Sequence, residues 1–232
     1  MTEGATIPGI LEKLDLLEAQ PYLSPPSFAE EVLQAFIDVL DRLNSWEGRY
    51  SYMSRSSSHW LVPNHMGGRP HIWFRNIMTA NALQHFWAFK IVCLTNIERL
   101  CLTFPGLMAD ESRLNEYLER ETIFDEIMRL STLICQSVEY LMQDDMRLFG
   151  PTSAVLPLRV AFDVFRAGEL QSVEELEWCE GILEYTVSKG YHFVSMFFEE
   201  SRLSKSGGMF PIMAVAGSRR SLLEEPSSSV VM

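Results

Sequence analysis

Basic residues are scarce in this chain of 232 residues. Nineteen Lys and Arg stand against 31 Asp and Glu, which gives a net charge of −12 with neutral His. Binding to nucleic acid depends on clustered Lys and Arg that release counterions from phosphates, and anionic membrane surfaces attract proteins through the same positive charges. The charge balance therefore argues against direct contact with nucleic acid or with a membrane surface.

Closely spaced cysteines are missing as well. The chain has four cysteines, and neighbouring ones are at least eight positions apart: Cys93, Cys101, Cys135 and Cys179. Structural zinc sites are built from cysteines that lie only a few residues apart, so none is expected here. Apolar neighbours surround these cysteines, as is typical of buried free thiols. With no signal-peptide pattern at the N-terminus and no apolar run long enough to span a bilayer, we expect a reduced, soluble, intracellular protein that needs no cofactor.

Motifs that would identify an enzyme are also absent. The sequence contains no Gly-x-Ser-x-Gly element, no glycine-rich phosphate loop and no dinucleotide fingerprint. His59, His65 and His71 recur at a spacing of six, which does not place two ligands on one helix face, so we expect solvated loop histidines. Carboxylate pairs such as Asp144 and Asp145 are expected on solvated surfaces. We predict no catalytic and no metal-binding residue.

Hydrophobic residues make up 47% of the chain and recur mostly at helical spacing. A capping-box pattern at Ser27 and Glu30 predicts a helix that runs to about Trp46. The segment 47–70 is rich in Gly, Ser and Pro and predicts a loop. From about 71 to 102 the pattern is apolar on most sides, which predicts a central helix surrounded by other elements.

Shorter helices are predicted in the second half of the chain, over about 121–143, 153–165, 172–190 and 191–203. Gly150-Pro151 is predicted to break the chain, and Ser172 with Glu175 forms a second capping box. No alternating segment longer than a few residues appears. The predicted fold class is therefore all-α, a multi-helix array around a long, nearly apolar central helix.

The composition also predicts the domain organisation. We expect a flexible N-terminal segment over 1–26, which contains a short amphipathic stretch, and a single helical domain over 27–203 with its loop at about 47–70. After 204 the sequence becomes rich in Gly, Ser, Arg and Pro. We therefore expect 204–232 to form a disordered tail outside the core.

Two segments carry more specific patterns. The first runs from Phe74 through an alanine-containing helix to Trp87-Ala-Phe. The second joins an Ile-Cys-Gln-Ser-Val helix to a Gly-Pro turn and a Pro-Leu-Arg helix, followed downstream by Trp-Cys and Lys-Gly-Tyr. Over about 25–200 the chain resembles the helical C-terminal region of fungal binuclear zinc cluster transcription factors. The positions that carry this resemblance are Phe74, Trp87, Cys135, Gly150, Pro151, Pro157, Leu158 and Arg159.

The resemblance implies a nuclear regulatory domain, with the cytoplasm as the alternative location, in which these eight positions have structural roles. It also implies regulation of a fungal secondary-metabolite pathway. The family binds DNA through six clustered cysteines followed by basic residues, and this chain contains no such pattern. We therefore expect no DNA-binding residue here. The implied partners are other regulatory proteins or the transcription machinery, or a small-molecule effector held between helices.

Two alternatives stay open. In the first, the chain is a small helical pathway protein that binds or transforms an apolar molecule. In the second, it is an inactive fragment of a regulator. For the first alternative, an aromatic stripe near His85 would line the ligand cavity, although ordinary core packing is the interpretation we favour for it. The residues of this stripe are Trp73, Phe74, Phe86, Trp87 and Phe89.

Overall fold

Helices dominate the computed structural model, which describes residues 3–19, 25–53, 58–64, 68–104, 106–107, 120–168, 172–195 and 198. The longer helices are α1 (Ile7–Ala19), α2 (Pro26–Met53), α3 (Ile77–Thr103), α4 (Arg120–Leu141), α5 (Phe149–Ala167) and α6 (Val173–Ser188). Short 3₁₀ helices cover Glu3–Thr6 and Asp144–Met146, and two strands, β1 (His59–Val62) and β2 (His71–Phe74), form a hairpin.

Helix α3 is the centre of the molecule, and α2, α4 and α5 all pack against it. Its buried residues include polar ones, and Gln84 Nε2 donates to Ser137 Oγ on α4 at 2.6 Å. Near the middle of α3, Lys90 Nζ lies 3.1 Å from Glu126 Oε1 on α4. A helix packed by neighbours on several sides requires an apolar surface almost all round. The prediction of an all-α array around a nearly apolar central helix is confirmed.

The hairpin corrects the predicted start of the central helix. We expected that helix from about His71, but α3 begins at Ile77, where the Asn76 side chain accepts from the Thr79 N–H at 2.9 Å. The preceding residues pair antiparallel with β1, with His59 opposite Phe74 and Val62 opposite His71. A four-residue strand is too short for its alternating period to stand out beside a long helical pattern.

Helix α2 extends beyond both predicted ends. It begins at Pro26, a residue suited to the first helical turn, so Ser27 lies inside the helix and is not its cap. At the other end it continues to Met53, through the first part of the predicted loop. Trp46 stacks on Tyr50 with ring centroids 5.1 Å apart and also contacts Phe86 on α3, which fastens this last part of the helix to the core.

Gly150 and Pro151 do not break the chain, because they lie in the first turn of α5. A Cβ on Gly150 would stand 2.2 Å from the Leu141 carbonyl oxygen, so glycine allows the start of α5 to approach the end of α4. Pro157 lies inside α5, where its missing N–H leaves the Ser153 carbonyl without its helical donor.

Helix α6 begins without the predicted capping box. The Ser172 hydroxyl donates to the Phe165 carbonyl oxygen at 2.7 Å and makes no cap hydrogen bond to its own helix. The predicted stop is confirmed, since Gly190 follows the helix with φ of 95°. Of the short helix expected over 191–203, the described residues include Val194 and Phe198, which are buried.

The N-terminal segment differs from the predicted domain organisation. We expected 1–26 to be flexible, but residues 3–19, which we call the N-terminal arm, form the first 3₁₀ helix and α1. The side chains of Ile7, Ile10, Leu14 and Leu17 are buried in the same core as those of the other helices. Their spacing of three, four and three residues places them on one helix face, so the arm gains hydrophobic burial by docking. The predicted tail, 204–232, lies outside the described residues.

Candidate functional site

An apolar cavity of about 330 Å³ lies between the N-terminal arm, α3 and α5. This volume is at the lower end of the range in which proteins bind small molecules. Apolar side chains and one glycine form its walls: Gly4, Ala5, Ile7, Pro8, Leu11, Ala88, Phe89, Val92, Leu156 and Val160.

The cavity walls repeat one spacing on each of the three helices. Residues four apart lie on one helix face, and α1 contributes such a pair, Ile7 and Leu11. The corresponding pair on α3 is Ala88 and Val92, and that on α5 is Leu156 and Val160. Ala88 is the smallest side chain among the six.

Gly4 brings the backbone of the arm against the ring of Phe89. A Cβ at position 4 would lie 2.4 Å from Phe89 Cδ2, which is far closer than real Cβ contacts. Glycine is therefore the residue that allows this approach. The Phe89 ring therefore contacts the backbone of the arm and also forms a wall of the cavity.

The chemistry of the cavity selects uncharged ligands. Among the lining residues that the structure describes, no side chain carries a charge or a hydrogen-bonding group, and burying an unpaired charge against such walls is costly. Ala5, Pro8 and Leu156 are solvent-exposed members of the lining and mark its mouth. A compact hydrocarbon-like or aromatic molecule can enter between them and gain free energy from the area it removes from water.

His85 lies beside the cavity without lining it. Its ring centroid is 6.0 Å from that of Phe89, and its Nδ1 is 2.9 Å from the Asn81 carbonyl oxygen. A carbonyl only accepts, so Nδ1 carries the proton and Nε2 is an acceptor in the neutral ring. Burial lowers the pKa of His85, which favours this neutral form. The pathway-protein alternative placed His85 at the ligand, whereas the described geometry places it behind Phe89.

The aromatic stripe is mostly core, as we favoured. Phe74 is the hub of a filled cluster, with ring centroids 5.2 Å from Tyr140 and 6.3 Å from Trp87. Trp73 contacts the same Tyr140 at 5.8 Å. Of the five aromatic residues considered for a ligand cavity, Phe89 alone is among the lining residues described for this one. The cavity is thus on a different side of α3 from the aromatic cluster.

The spaced histidines do not come together in the part of the chain that the structure describes. His59 and His71 lie at opposite ends of the two paired strands, and His65 falls outside the described residues. His59 is half-buried against Phe74 and Trp87, and His71 is a half-buried residue of β2, so the expectation of solvated loop residues is wrong for both. Within the described ranges no group of three or more His, Cys, Asp or Glu could hold a metal ion.

The resemblance positions on α4 and α5 lie in the core or pack against it. Cys135 is buried next to Cys179 on α6, and their hydrogen bond, with burial, raises the pKa of the Cys179 thiol well above its usual value. Leu158 is also buried. Arg159 Nε donates to Asp163 Oδ2 at 2.9 Å, and the guanidinium lies over the Phe198 ring.

None of the eight resemblance positions lines the cavity, although Leu156 and Val160 immediately flank the Pro-Leu-Arg element. All four cysteines are buried free thiols, as the sequence predicts. Burial raises the pKa of Cys93 to about 12 and that of Cys101 to about 11, so neither ionises near neutral pH.

A second concave surface lies where α4 ends. It holds about 410 Å³, and its walls are largely polar: Glu139, Met142, Gln143, Asp144, Asp145, Tyr185 and Lys189. Asp144 and Asp145 are exposed, as the sequence predicts for this carboxylate pair. Carboxylates in contact with water gain little from surface partners, so the apolar cavity is the stronger candidate site.

Comparison with known proteins gives no match to this chain among protein-family models, curated proteins or solved structures. Among the helices that the structure describes, none combines the length and the apolar character needed to cross a membrane.

Proposed function

We propose that this chain is a transcription-regulator-like helical domain that binds a small, uncharged, apolar effector and does not itself read DNA. The proposal includes a nuclear location and a role in regulating a fungal secondary-metabolite pathway. The observation that carries it is the apolar cavity between the N-terminal arm, α3 and α5.

Two properties of the sequence support the regulatory part of the proposal. The resemblance of about 25–200 to the C-terminal region of binuclear zinc cluster regulators supplies the functional class. The net charge of −12 and the wide spacing of the cysteines disfavour direct recognition of DNA. Regulation by a bound effector requires an internal site that can be filled, and the cavity provides one.

The test of effector binding is a fluorescence titration with N-phenyl-1-naphthylamine, an uncharged apolar dye that brightens on leaving water. Wild-type protein should bind it saturably. Ala5→Trp places a large ring at the cavity mouth and should weaken binding at least tenfold. Ala19→Trp is the matched control, because Ala19 is an exposed alanine of the same arm that does not line the cavity. Equal affinity in all three proteins would contradict the proposal.

The test of the DNA prediction is a mobility-shift assay with duplex DNA at physiological salt. An acidic domain without clustered Lys and Arg should show no tight complex. Tight binding under these conditions would overturn the regulatory part of the proposal as it stands.

The same cavity also suits the pathway-protein alternative, so cellular tests are needed to separate the two. Deletion of the gene should change the transcripts of its neighbours if the chain is a regulator, and Ala5→Trp should reproduce that change if the effector matters. Transcripts that change on deletion but not with Ala5→Trp would favour action through other regulatory proteins or the transcription machinery. Unchanged transcripts, with loss of a pathway product in His85→Ala, would favour transformation of the ligand; no change in either would favour an inactive fragment.

A further inference from the structure

The walls of the cavity come from two portions of the molecule. Of the lining residues that the structure describes, five belong to the N-terminal arm and five belong to α3 and α5. A molecule in the cavity therefore touches the arm on one side and the helical core on the other. Its binding free energy depends on both portions being in place.

Outside the cavity, described residues of the arm make polar contacts with α2 and α3. Arg42 Nη2 donates to Thr6 Oγ1 at 3.2 Å, and Lys13 pairs with Glu31. A further ion pair joins Glu18 to Arg99 on α3. Burial raises the pKa of Glu18 despite this arginine, so its charge is held at some cost.

Where the arm faces α3 and α5, its contacts are incomplete around the cavity. Gly4 meets the Phe89 ring closely, whereas Ile7 and Leu11 of the arm line the cavity together with Val92 and Val160. Side chains around such a gap lose the dispersion contacts that a filled interior provides. An apolar ligand supplies the missing atoms to both walls.

We infer that an uncharged apolar ligand in this cavity stabilises the packing of the N-terminal arm against α3 and α5, so that effector binding favours the docked state of the arm. This inference rests on the proposed function, because it concerns the same site. A ligand that binds the docked state and not the undocked one shifts the equilibrium by mass action. By thermodynamic linkage, undocking of the arm lowers ligand affinity by the same factor by which the ligand favours docking.

The first test is hydrogen exchange of the full chain with and without N-phenyl-1-naphthylamine. At a dye concentration of one hundred times its Kd, exchange of amides in 3–19 should slow by up to about 100-fold. Amides of α4, which contributes no lining residue, serve as the internal reference. Dye binding with unchanged exchange in the arm would overturn the inference and leave the proposed function standing. No dye binding would overturn both.

The second test uses a matched pair of substitutions in α1. Leu14 is buried, whereas Leu16, two residues away, is 66% exposed. Leu14→Asp should undock the arm and weaken dye binding by about 5- to 150-fold, the usual range of coupling between sites. Leu16→Asp should bind the dye as wild type does. Wild-type affinity in a folded Leu14→Asp protein would overturn the inference; if that variant does not fold, the exchange experiment on the wild-type chain decides.

Discussion

The two sides of α3 differ in how their space is filled. On one side the hairpin and α4 close over the helix with a cluster of rings centred on Phe74, which is 3% exposed. On the other side the N-terminal arm and α5 meet α3 around Ala88 and leave a cavity. Trp87 and Phe89 lie within one turn of α3 but are about 200° apart around its axis, so they point to opposite sides. The aromatic residues on the first side are part of the packed core, whereas the cavity on the second side lies among smaller side chains such as Ala88.

The largest expected effect is on the filled side. Phe74→Ala removes the hub of the ring cluster and should lower the free energy of unfolding by about 3–5 kcal/mol. Leu61→Ala, at a 61% exposed position of the same hairpin, should change it by no more than about 0.5 kcal/mol. Urea unfolding of the two variants measures the difference. If Phe74→Ala folds yet no longer binds the dye, the two sides are not independent and the comparison fails.

The next effect concerns the arm on the cavity side. Gly4→Ala forces a Cβ against the Phe89 ring and should destabilise the protein by about 1–3 kcal/mol, as overpacking usually does. Gly9→Ala is the control, because a Cβ there meets nothing within 4 Å and alanine favours the helix by about 0.5–1 kcal/mol. Thermal unfolding should rank Gly9→Ala above wild type and Gly4→Ala below it. The reverse order would show that the arm does not rest on Phe89.

One histidine lies on each side of α3, so the two sides can also be compared by how the free energy of unfolding depends on pH. Burial lowers the pKa of His59 beside the ring cluster and of His85 beside the cavity. The unfolded chain therefore binds more protons than the folded one below about pH 6.5, so the free energy of unfolding should fall as the pH is lowered from 7 toward 5. His59→Gln and His85→Gln should each reduce that slope. A slope unchanged in both variants would assign it to other groups.

Two carboxylates act in a separate, more acidic window. Burial opposes the shift of Glu126, but hydrogen bonds from Arg129 and Lys90 outweigh it and lower its pKa, and a hydrogen bond from Arg69 lowers the pKa of Glu175. Their stabilising contribution is present above the carboxyl pKa of the unfolded chain and is lost as the pH falls below it. The histidine measurement should therefore be made above pH 5.

The smallest expected effect is on the free energy of unfolding when an outer ion pair is removed on each of the two sides. Arg69 pairs with Glu175 at 2.9 Å and lies 4.7 Å over the Trp178 ring, which joins the segment before β2 to α6. Arg69→Ala should cost about 1 kcal/mol, whereas Lys13→Ala, at an exposed pair on the arm, should cost no more than about 0.5 kcal/mol. Chemical unfolding measures both. Equal costs would show that stacking on Trp178 contributes nothing.

Helices were predictable where their patterns were long. The apolar surface of α3 and the stripe of α4, with buried residues such as Ile127 and Ile134, determine the fold class from sequence. The hairpin was missed because Ile72 and Phe74 supply only two inward positions of a period-two pattern. Gly150 was misinterpreted because its role depends on a carbonyl of another helix, which no local pattern contains.

The cavity was not predictable from the aromatic stripe near His85, the sequence feature that first suggested a ligand. Half of its described lining residues belong to a segment predicted to be flexible, and the signal that could have found them is the spacing of Ile7, Ile10, Leu14 and Leu17. Such spacing predicts a docked helix. Which helices would meet at Ala88 depends on tertiary packing, so the cavity itself had no signal in the sequence.

A crystal structure of the full chain bound to N-phenyl-1-naphthylamine would show whether the cavity binds an apolar ligand beneath the docked arm. Density for the dye is expected between Phe89, Leu11 and Val160, with the arm docked over it. Dye bound at another surface, or a cavity between the arm and α3 that stays free of dye at saturating concentration, would rule out both the effector site and its coupling to the arm.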